Sequence, residues 1–113
     1  MLIKKESTTS KQNSPGCTVN EHDHPTNNLS LATSTINGRY PEQKRVTNLE
    51  CEEICYVISG SGTIQSYKGT FEITEGDSYH FKIGEKYSIE GNNLKLVLIN
   101  APKWRLDQHK VVE

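Results

Sequence analysis

From Leu29 onward, the chain consists of short runs of β-forming residues separated by turn residues. The runs cover residues 29–36, 53–59, 63–67, 70–73, 78–83, 87–90 and 94–100. The turn segments are rich in glycine, asparagine and aspartate, and they recur at the spacing typical of a sandwich or barrel. No window has the apolar spacing of a helix. The pattern therefore predicts an all-β fold of about eight short strands, with Gly60-Ser61-Gly62 and Gly91-Asn92-Asn93 among the turns.

Two runs indicate which side chains are covered. Because successive residues of a strand point to opposite faces, the run from Glu53 to Ser59 divides into two sets. One face carries Glu53, Cys55 and Val57, and the other carries Ile54, Tyr56 and Ile58. The run Leu94–Ile99 is apolar on both faces, which predicts a strand that is covered on both sides, either inside the domain or under a partner subunit.

The first part of the chain has a different composition. Residues 1–27 are mostly Ser, Thr, Asn, Lys and Glu, and Pro15-Gly16 and Pro25 interrupt them. A segment of this kind buries little apolar surface, so we expect a flexible polar arm, with an added edge strand as the alternative. Residues 28–113 then form a single barrel domain, in line with a total length of 113 residues.

Charge and cysteine content exclude several classes of protein. The 13 basic and 14 acidic residues are mixed along the chain, so the basic face of a nucleic-acid-binding protein is absent. No stretch approaches the ~20 apolar residues of a membrane span, and the first residues lack the apolar run of a signal peptide. Three cysteines in such a chain do not indicate a disulfide framework. We therefore expect a cytoplasmic protein without a nucleic-acid or membrane partner.

Two glycine-centred segments follow a recognisable spacing. Glu53 is followed by six residues and Gly60, and fifteen residues later Gly76 begins a segment that contains Lys82, Gly84 and Tyr87. This spacing resembles the two motifs of the cupin superfamily, G-x5-H-x-H-x(3,4)-E-x6-G and G-x5-P-x-G-x2-H-x3-N. The resemblance implies a small jelly-roll barrel, the cupin-type double-stranded β-helix. It also implies a homodimer and places the motif residues at the mouth of the barrel.

The metal-binding part of those motifs is missing. The alignment places Val46, Asn48 and Tyr87 where typical members have their three histidines, and only Glu53 of the four usual ligands remains. Valine offers no donor, and an amide and a phenol are poor substitutes for imidazole. We therefore predict no cofactor, and a divalent metal is disfavoured. The alternative is a metal recruited by a non-standard set, Glu53, His80 and His109.

The resemblance directs Glu53 and Cys55 into the barrel, where a carboxyl group is costly unless it is paired. Glu53 is accordingly a candidate ligand contact or general acid–base, and the competing interpretation is a structural acid held by hydrogen bonds. Asn48 and Tyr87 are expected to approach it across the mouth. Cys55, His80 and Trp104 are also expected to contact the ligand. The alternative for Cys55 is packing in the core, for His80 a position on the outer face of its strand, and for Trp104 packing within the C-terminal tail.

Three classes of function follow from these residues. The first is a binding module for a small polar or amphipathic molecule, contacted by Asn48, Glu53 and Tyr87. The second is an enzyme with isomerase- or epimerase-like acid–base chemistry, for which Glu53, Tyr87 and His80 are the catalytic candidates, or a metal-dependent enzyme with the non-standard ligands. The third is a structural protein whose dimer face is its function.

Overall fold

The computed structural model describes all 113 residues and contains nine β-strands and two 3₁₀ turns. The strands are β1 (Thr9–Ser14), β2 (Cys17–His22), β3 (Ser30–Tyr40), β4 (Arg45–Asn48), β5 (Glu52–Ser66), β6 (Gly69–Thr74), β7 (Ser78–Phe81), β8 (Tyr87–Ala101) and β9 (His109–Val112). The 3₁₀ turns are Lys5–Ser7 and Leu106–Gln108. The predicted all-β class is confirmed, and no helix is long and apolar enough to cross a membrane.

All strand pairs are antiparallel, and β8 lies at the centre of the arrangement. It pairs with β3, β4 and β5, while β5 also pairs with β6 and β7. The strand order along the sheet is β1-β2-β3-β8-β4-β9, in which β9 pairs with β4 at the end of the path. The radius of gyration of 13.2 Å is the value expected for a compact domain of about 100 residues.

The two longest strands pass through glycines that were predicted to be turns. β5 continues through Gly60 and Gly62, and β8 continues through Gly91, with shifts of register instead of reversals of the chain. Gly60 has a φ of +81°, and a Cβ there would meet the carbonyl oxygen of Asn93 at 2.1 Å. A Cβ on Gly91 would meet the carbonyl oxygen of Ile36 at 2.4 Å. The glycines therefore permit bends where backbones approach closely, which is why the strand count and lengths differ from the prediction.

Residues 1–27 include two of the strands, so the edge-strand alternative describes this segment better than the flexible arm. β1 and β2 form a hairpin, the N-terminal hairpin, and β2 pairs along β3 from Cys17 opposite Ile36 to His22 opposite Leu31. Cys17 and Val19 enter the core. The boundary predicted after residue 27 does not separate two units, because a polar average composition concealed these two inward-facing apolar positions.

The predicted alternation along β5 is confirmed. Glu53, Cys55 and Val57 are at most 7% exposed, and the opposite set, Ile54, Tyr56 and Ile58, is nearly half exposed. β8 buries Leu94 and Leu96 against the same core. Its outer face is only partly covered, and cross-strand pairing joins it to β3 and β5. We call the resulting outer surface the outer apolar strip: Leu31, Ile54, Tyr56, Ile58, Val97 and Ile99.

A second buried carboxylate, that of Glu85, stabilises the part of the barrel formed by β5 and β7. The side chain of Glu85 is fully buried and accepts hydrogen bonds from Tyr79 Oη at 2.6 Å, Ser66 Oγ at 2.8 Å and the Lys82 backbone N–H at 2.9 Å. Burial raises the pKa of Glu85, but these bonds and the Lys68 ammonium outweigh that effect and lower it below its usual value. Glu85 is thus a structural anion that joins the β5–β6 hairpin to β7.

Replacing Glu85 with alanine should leave three donors without their acceptor. We expect Glu85→Ala to lower the free energy of unfolding by roughly 3 kcal/mol, because each unpaired buried polar group costs about 1–3 kcal/mol. Urea denaturation followed by circular dichroism measures the difference. The exposed acid Glu75 is the matched control, and Glu75→Ala should change the value by no more than about 0.5 kcal/mol. Equal effects of the two substitutions would contradict the structural role of Glu85.

Candidate functional site

A cavity of about 100 Å³ lies inside the barrel between the N-terminal hairpin, β3, β8 and the chain after β8. Its walls include apolar side chains, among them Val19, Ile36, Ile89, Leu96 and Leu98. Its polar side chains are Tyr40, Glu53, Tyr87, Asn100, Trp104 and His109, with His22, Asp23 and Lys103 among those nearer the surface. A larger groove of about 920 Å³ on the outside of β5, β6 and β8 is almost entirely polar and contains no buried ionisable group.

Glu53 is the buried acid of the central cavity. Its Oε1 accepts a hydrogen bond from Asn100 Nδ2 at 3.0 Å, which is the only hydrogen bond acting on its pKa. Burial raises the pKa of Glu53 to about 7, because the single amide donor offsets only part of the cost of removing the carboxylate from water. Glu53 therefore exists in both protonation states near neutral pH.

Tyr87 lies on the same wall and keeps its proton. Its ring packs on Phe81 with centroids 4.1 Å apart, and Phe81 packs in turn on Tyr79 at 4.6 Å. Burial raises the pKa of Tyr87 well above 10, and the neighbouring Glu53 raises it further. No hydrogen bond contributes to this shift, so the hydroxyl proton of Tyr87 is free to be donated to a ligand.

A chain of hydrogen bonds leads from Tyr40 away from the cavity. The Tyr40 hydroxyl lies 2.6 Å from His109 Nε2, and His109 Nδ1 lies 2.8 Å from Asn48 Oδ1. Trp104 Nε1 and Gln108 Nε2 donate to the same Asn48 oxygen at 3.2 and 3.1 Å. Burial lowers the pKa of His109 to about 4, so its imidazole is neutral at pH 7.

The comparison with known proteins concerns the fold. No protein-family model matches the chain, and no curated sequence matches it. The nucleoside dehydratase Pac13 superposes with a TM-score of 0.89 over 100% of this chain and 91% of its own, at 13% sequence identity. The chain has the cupin fold. Streptomyces Pac13 variants with a tyrosine or a histidine replaced have been solved with uridine.

Two other structures share this cupin fold at similarly low identity. KdgF from a Halomonas species superposes with a TM-score of 0.74, at 13% identity, over 95% of this chain and 96% of its own. An oxalate decarboxylase from Bacillus subtilis superposes with a TM-score of 0.81 at 17% identity, and the chain matches 32% of its length. The fold expected from the spacing of Glu53, Gly60 and Gly84 is confirmed.

The structure brings together four of the residues named from the sequence. Glu53, Tyr87, Trp104 and His109 all line the central cavity. Asn48 does not line it: this residue is buried behind Trp104 and His109, and its oxygen is occupied by their N–H groups. Its expected direct contact with a ligand is therefore replaced by an indirect role.

Two of the predicted cavity residues lie elsewhere. Cys55 is completely buried in the apolar core and does not line the cavity, which agrees with the alternative that it packs in the core. His80 lies on the outer face of β7 and contacts Glu52 at 2.7 Å. The prediction for His80 is wrong because Tyr79 and Phe81 supply the inward face of that strand. His80 is thereby removed from the catalytic candidates as well.

The usual cupin metal position does not fit a divalent metal in this chain. Val46 packs in the core, Asn48 Oδ1 already accepts three hydrogen bonds, and Tyr87 retains its proton. Nowhere do three His, Cys, Asp or Glu side chains form a group that could hold an ion. The non-standard set is not assembled either, because His80 and Glu53 lie on opposite sides of the barrel wall.

Sequence reasoning missed Tyr40 and Asn100. Tyr40 was outside any predicted strand, because β3 was expected to end at Asn37-Gly38 and instead continues through a shift of register. Asn100 closes the predicted run 94–100, and its inward position follows from its pairing with Glu53 across β5 and β8. Knowledge of that register was the only signal that could have identified it.

The raised pKa of Glu53 makes the stability of the protein depend on pH. Since the folded state binds this proton more tightly than the unfolded chain, its contribution is fully present below about pH 4.5 and is lost as the pH rises through 7. The contribution of Glu53 to the free energy of unfolding should fall by up to roughly 3 kcal/mol across that range. The lowered pKa of His109 acts in the opposite direction, so the contribution of Glu53 is read as the difference in pH dependence between the unmodified protein and Glu53→Gln. Urea denaturation at about pH 5 and about pH 8 measures it.

Glu53→Gln removes this titration, so the variant should lack that part of the fall. Glu52→Gln, which replaces the exposed neighbouring acid, should behave as the unmodified protein does. A pH dependence of the same size in Glu53→Gln would show that Glu53 does not hold its proton more tightly in the folded state.

Proposed function

We propose that this protein is a metal-independent acid–base enzyme acting on a small hydroxylated compound, with Glu53 as the group that accepts and returns a proton. The observation that carries the proposal is a single carboxyl group with a pKa of about 7, placed in a cavity beside the free hydroxyl of Tyr87. A catalytic acid or base is most effective when its pKa is close to the working pH.

Three buried oxygen-bearing groups of the cavity, Glu53, Tyr40 and Tyr87, have different roles in this chemistry. The pKa values of Tyr87 and Tyr40 are raised by burial, so both phenols remain protonated and serve as hydrogen-bonding groups. Glu53 is the only one whose two states are both populated near neutral pH. Tyr87 is therefore suited to donate to an oxygen that gains negative charge, while Glu53 exchanges the proton.

Dehydration is the reaction class that these groups support best. The ionised Glu53 removes a proton from a carbon next to a carbonyl group, whose oxygen accepts a hydrogen bond from Tyr87. The electron pair then forms a carbon–carbon double bond as the bond to a β-hydroxyl breaks. The protonated Glu53 returns its proton to the departing hydroxyl, so that water leaves and the carboxylate is restored.

The size of the cavity restricts the substrate. The central cavity, at roughly 100 Å³, is smaller than the cavity of about 150 Å³ that holds a benzene ring, so it encloses an acyclic fragment or part of a small ring, with the remainder in the mouth. The rest of a larger molecule would extend between His22, Lys103 and Trp104 at the mouth. A nucleoside-like compound whose sugar carries a carbonyl group has this division and the required β-hydroxyl, and Pac13, which shares the fold, is described as a nucleoside dehydratase.

Proton abstraction can be measured before the natural substrate is known. We expect deuterium incorporation from D₂O into some member of a panel of β-hydroxy aldehydes, aldoses and uronates, read by mass spectrometry. Glu53→Gln should reduce the exchange rate by at least ~10²-fold, the lower end of the contribution of a general base. Glu52→Gln is the matched control and should keep the rate. Equal exchange in both variants would refute the role of Glu53.

A binding module is the second candidate, and the composition of the cavity wall favours it. Eleven of the 21 lining residues are hydrophobic, which suits an amphipathic molecule held without reaction. A thermal-shift screen with uridine, sugars and organic acids separates the candidates. A ligand at about one hundred times its dissociation constant adds roughly 2.7 kcal/mol of stability. Binding without any deuterium exchange in bound members of the panel would favour the module over the enzyme.

We also propose that a second copy of this chain covers the outer apolar strip. Ile54 pairs with Ile99, and Tyr56 pairs with Val97, so the half-exposed apolar side chains form one continuous surface on the sheet. A contiguous apolar patch of this kind typically marks an interface. A two-fold axis would let the same surface serve on both copies.

Introducing a charge into the strip should separate the two copies. Light scattering coupled to gel filtration should give twice the chain mass of 12.7 kDa for the unmodified protein and 12.7 kDa for Tyr56→Arg. Thr70→Arg, on the exposed side of β6, is the matched control and should remain dimeric. A monomeric unmodified protein would refute this proposal.

A further inference from the structure

The direction of each hydrogen bond around Tyr40 can be assigned, and it determines what a ligand can offer at that residue. We propose that Tyr40 is a specificity-determining residue that presents only hydrogen-bond acceptors to the cavity, and that Asn48 is the positioning residue that fixes this polarity through His109. The inference rests on the proposed function only in requiring that a ligand enters the cavity.

The orientation of the Asn48 amide is the first step. The indole N–H of Trp104 can only donate, so the Asn48 atom that lies 3.2 Å from it must be the oxygen. Gln108 leads to the same assignment independently. Its Nε2 faces the carbonyl oxygen of Arg105, and its Oε1 faces the backbone N–H of Glu50, so Gln108 presents N–H to Asn48. The donors of Trp104 and Gln108 therefore both require that the Asn48 atom facing them is the amide oxygen, Oδ1.

The tautomer of His109 is the second step. An amide oxygen can only accept, so the Nδ1 atom 2.8 Å from Asn48 Oδ1 must carry the proton of the ring. Because the imidazole is buried and neutral, Nε2 is left with a bare lone pair. The Tyr40 hydroxyl, 2.6 Å from Nε2, must then be the donor.

The consequence for the cavity is the third step. A phenol has one proton, and that of Tyr40 is directed at His109, so only the lone pairs of Tyr40 remain for a ligand. Tyr87 has the opposite character, because no protein group uses its proton. The cavity therefore selects a molecule with an O–H or N–H group toward Tyr40 and disfavours an ether or carbonyl there.

The tautomer can be tested without any ligand. In ¹⁵N spectra of histidine-labelled protein, the signals of His109 are those lost in His109→Gln. We expect Nδ1 to be the protonated nitrogen in the unmodified protein. Asn48→Asp preserves an acceptor of the same size, so it should keep this tautomer and raise the pKa of His109 through the added negative charge. A proton on Nε2 in the unmodified protein would overturn the proposal.

The polarity can be tested with two small probes that do not depend on Glu53 chemistry. Phenol and anisole carry the same ring, and only phenol offers a donor. We expect phenol to bind the unmodified protein at least tenfold more tightly than anisole in an NMR titration, with this preference lost in Tyr40→Phe and kept in Tyr87→Phe. An equal preference in Tyr40→Phe and the unmodified protein would overturn the proposal, whatever the outcome of the deuterium-exchange assay.

Discussion

The carboxyl group of Glu53 lies in the barrel interior with one amide donor beside it, and the properties of the cavity depend on that imbalance. The fold contains a second carboxylate with little solvent exposure, Glu85, which accepts hydrogen bonds from Ser66, Tyr79 and the Lys82 backbone. Burial raises the pKa of both, but only at Glu85 do the donors outweigh it. Three donors and the Lys68 ammonium thus keep Glu85 an anion, whereas Glu53, more deeply enclosed and with one donor, exchanges its proton near neutral pH.

The surroundings of Glu53 are completed by segments outside the central strand pairs. The N-terminal hairpin contributes Cys17 and Val19 to the cavity wall, and the chain after β8 contributes Trp104 and His109. An ion pair of 2.6 Å between Lys103 and Asp23 joins these two segments at the mouth. The polar groups of the cavity are therefore held by contacts distant in sequence, which gives each a fixed orientation before a ligand arrives.

The parts that could be predicted are those determined by local periodicity. Alternation along β5 was sufficient to place Glu53 inside and Tyr56 outside, and the glycine spacing was sufficient to indicate the barrel. The faces of β7 and β3 could not be obtained in this way. A shift of one residue reverses the face of every side chain in a strand, and the sequence does not fix the register of β7, so His80 was expected inside although it faces outward. Tyr40 was missed because it follows a bulge at which β3 was expected to end.

At the three positions where the resemblance expects histidine ligands, the side chains have roles that involve no metal. Val46 fills the core, Asn48 fixes the tautomer of His109, and Tyr87 keeps a free proton beside Glu53. None of these side chains can replace an imidazole at a metal. Asn48 and Tyr87 instead determine which hydrogen-bond donors and acceptors face the cavity. At this place in the barrel the chain carries the carboxyl group of Glu53, the amide donor of Asn100 and the hydroxyl of Tyr87, so directed hydrogen bonds set the electrostatics of the cavity.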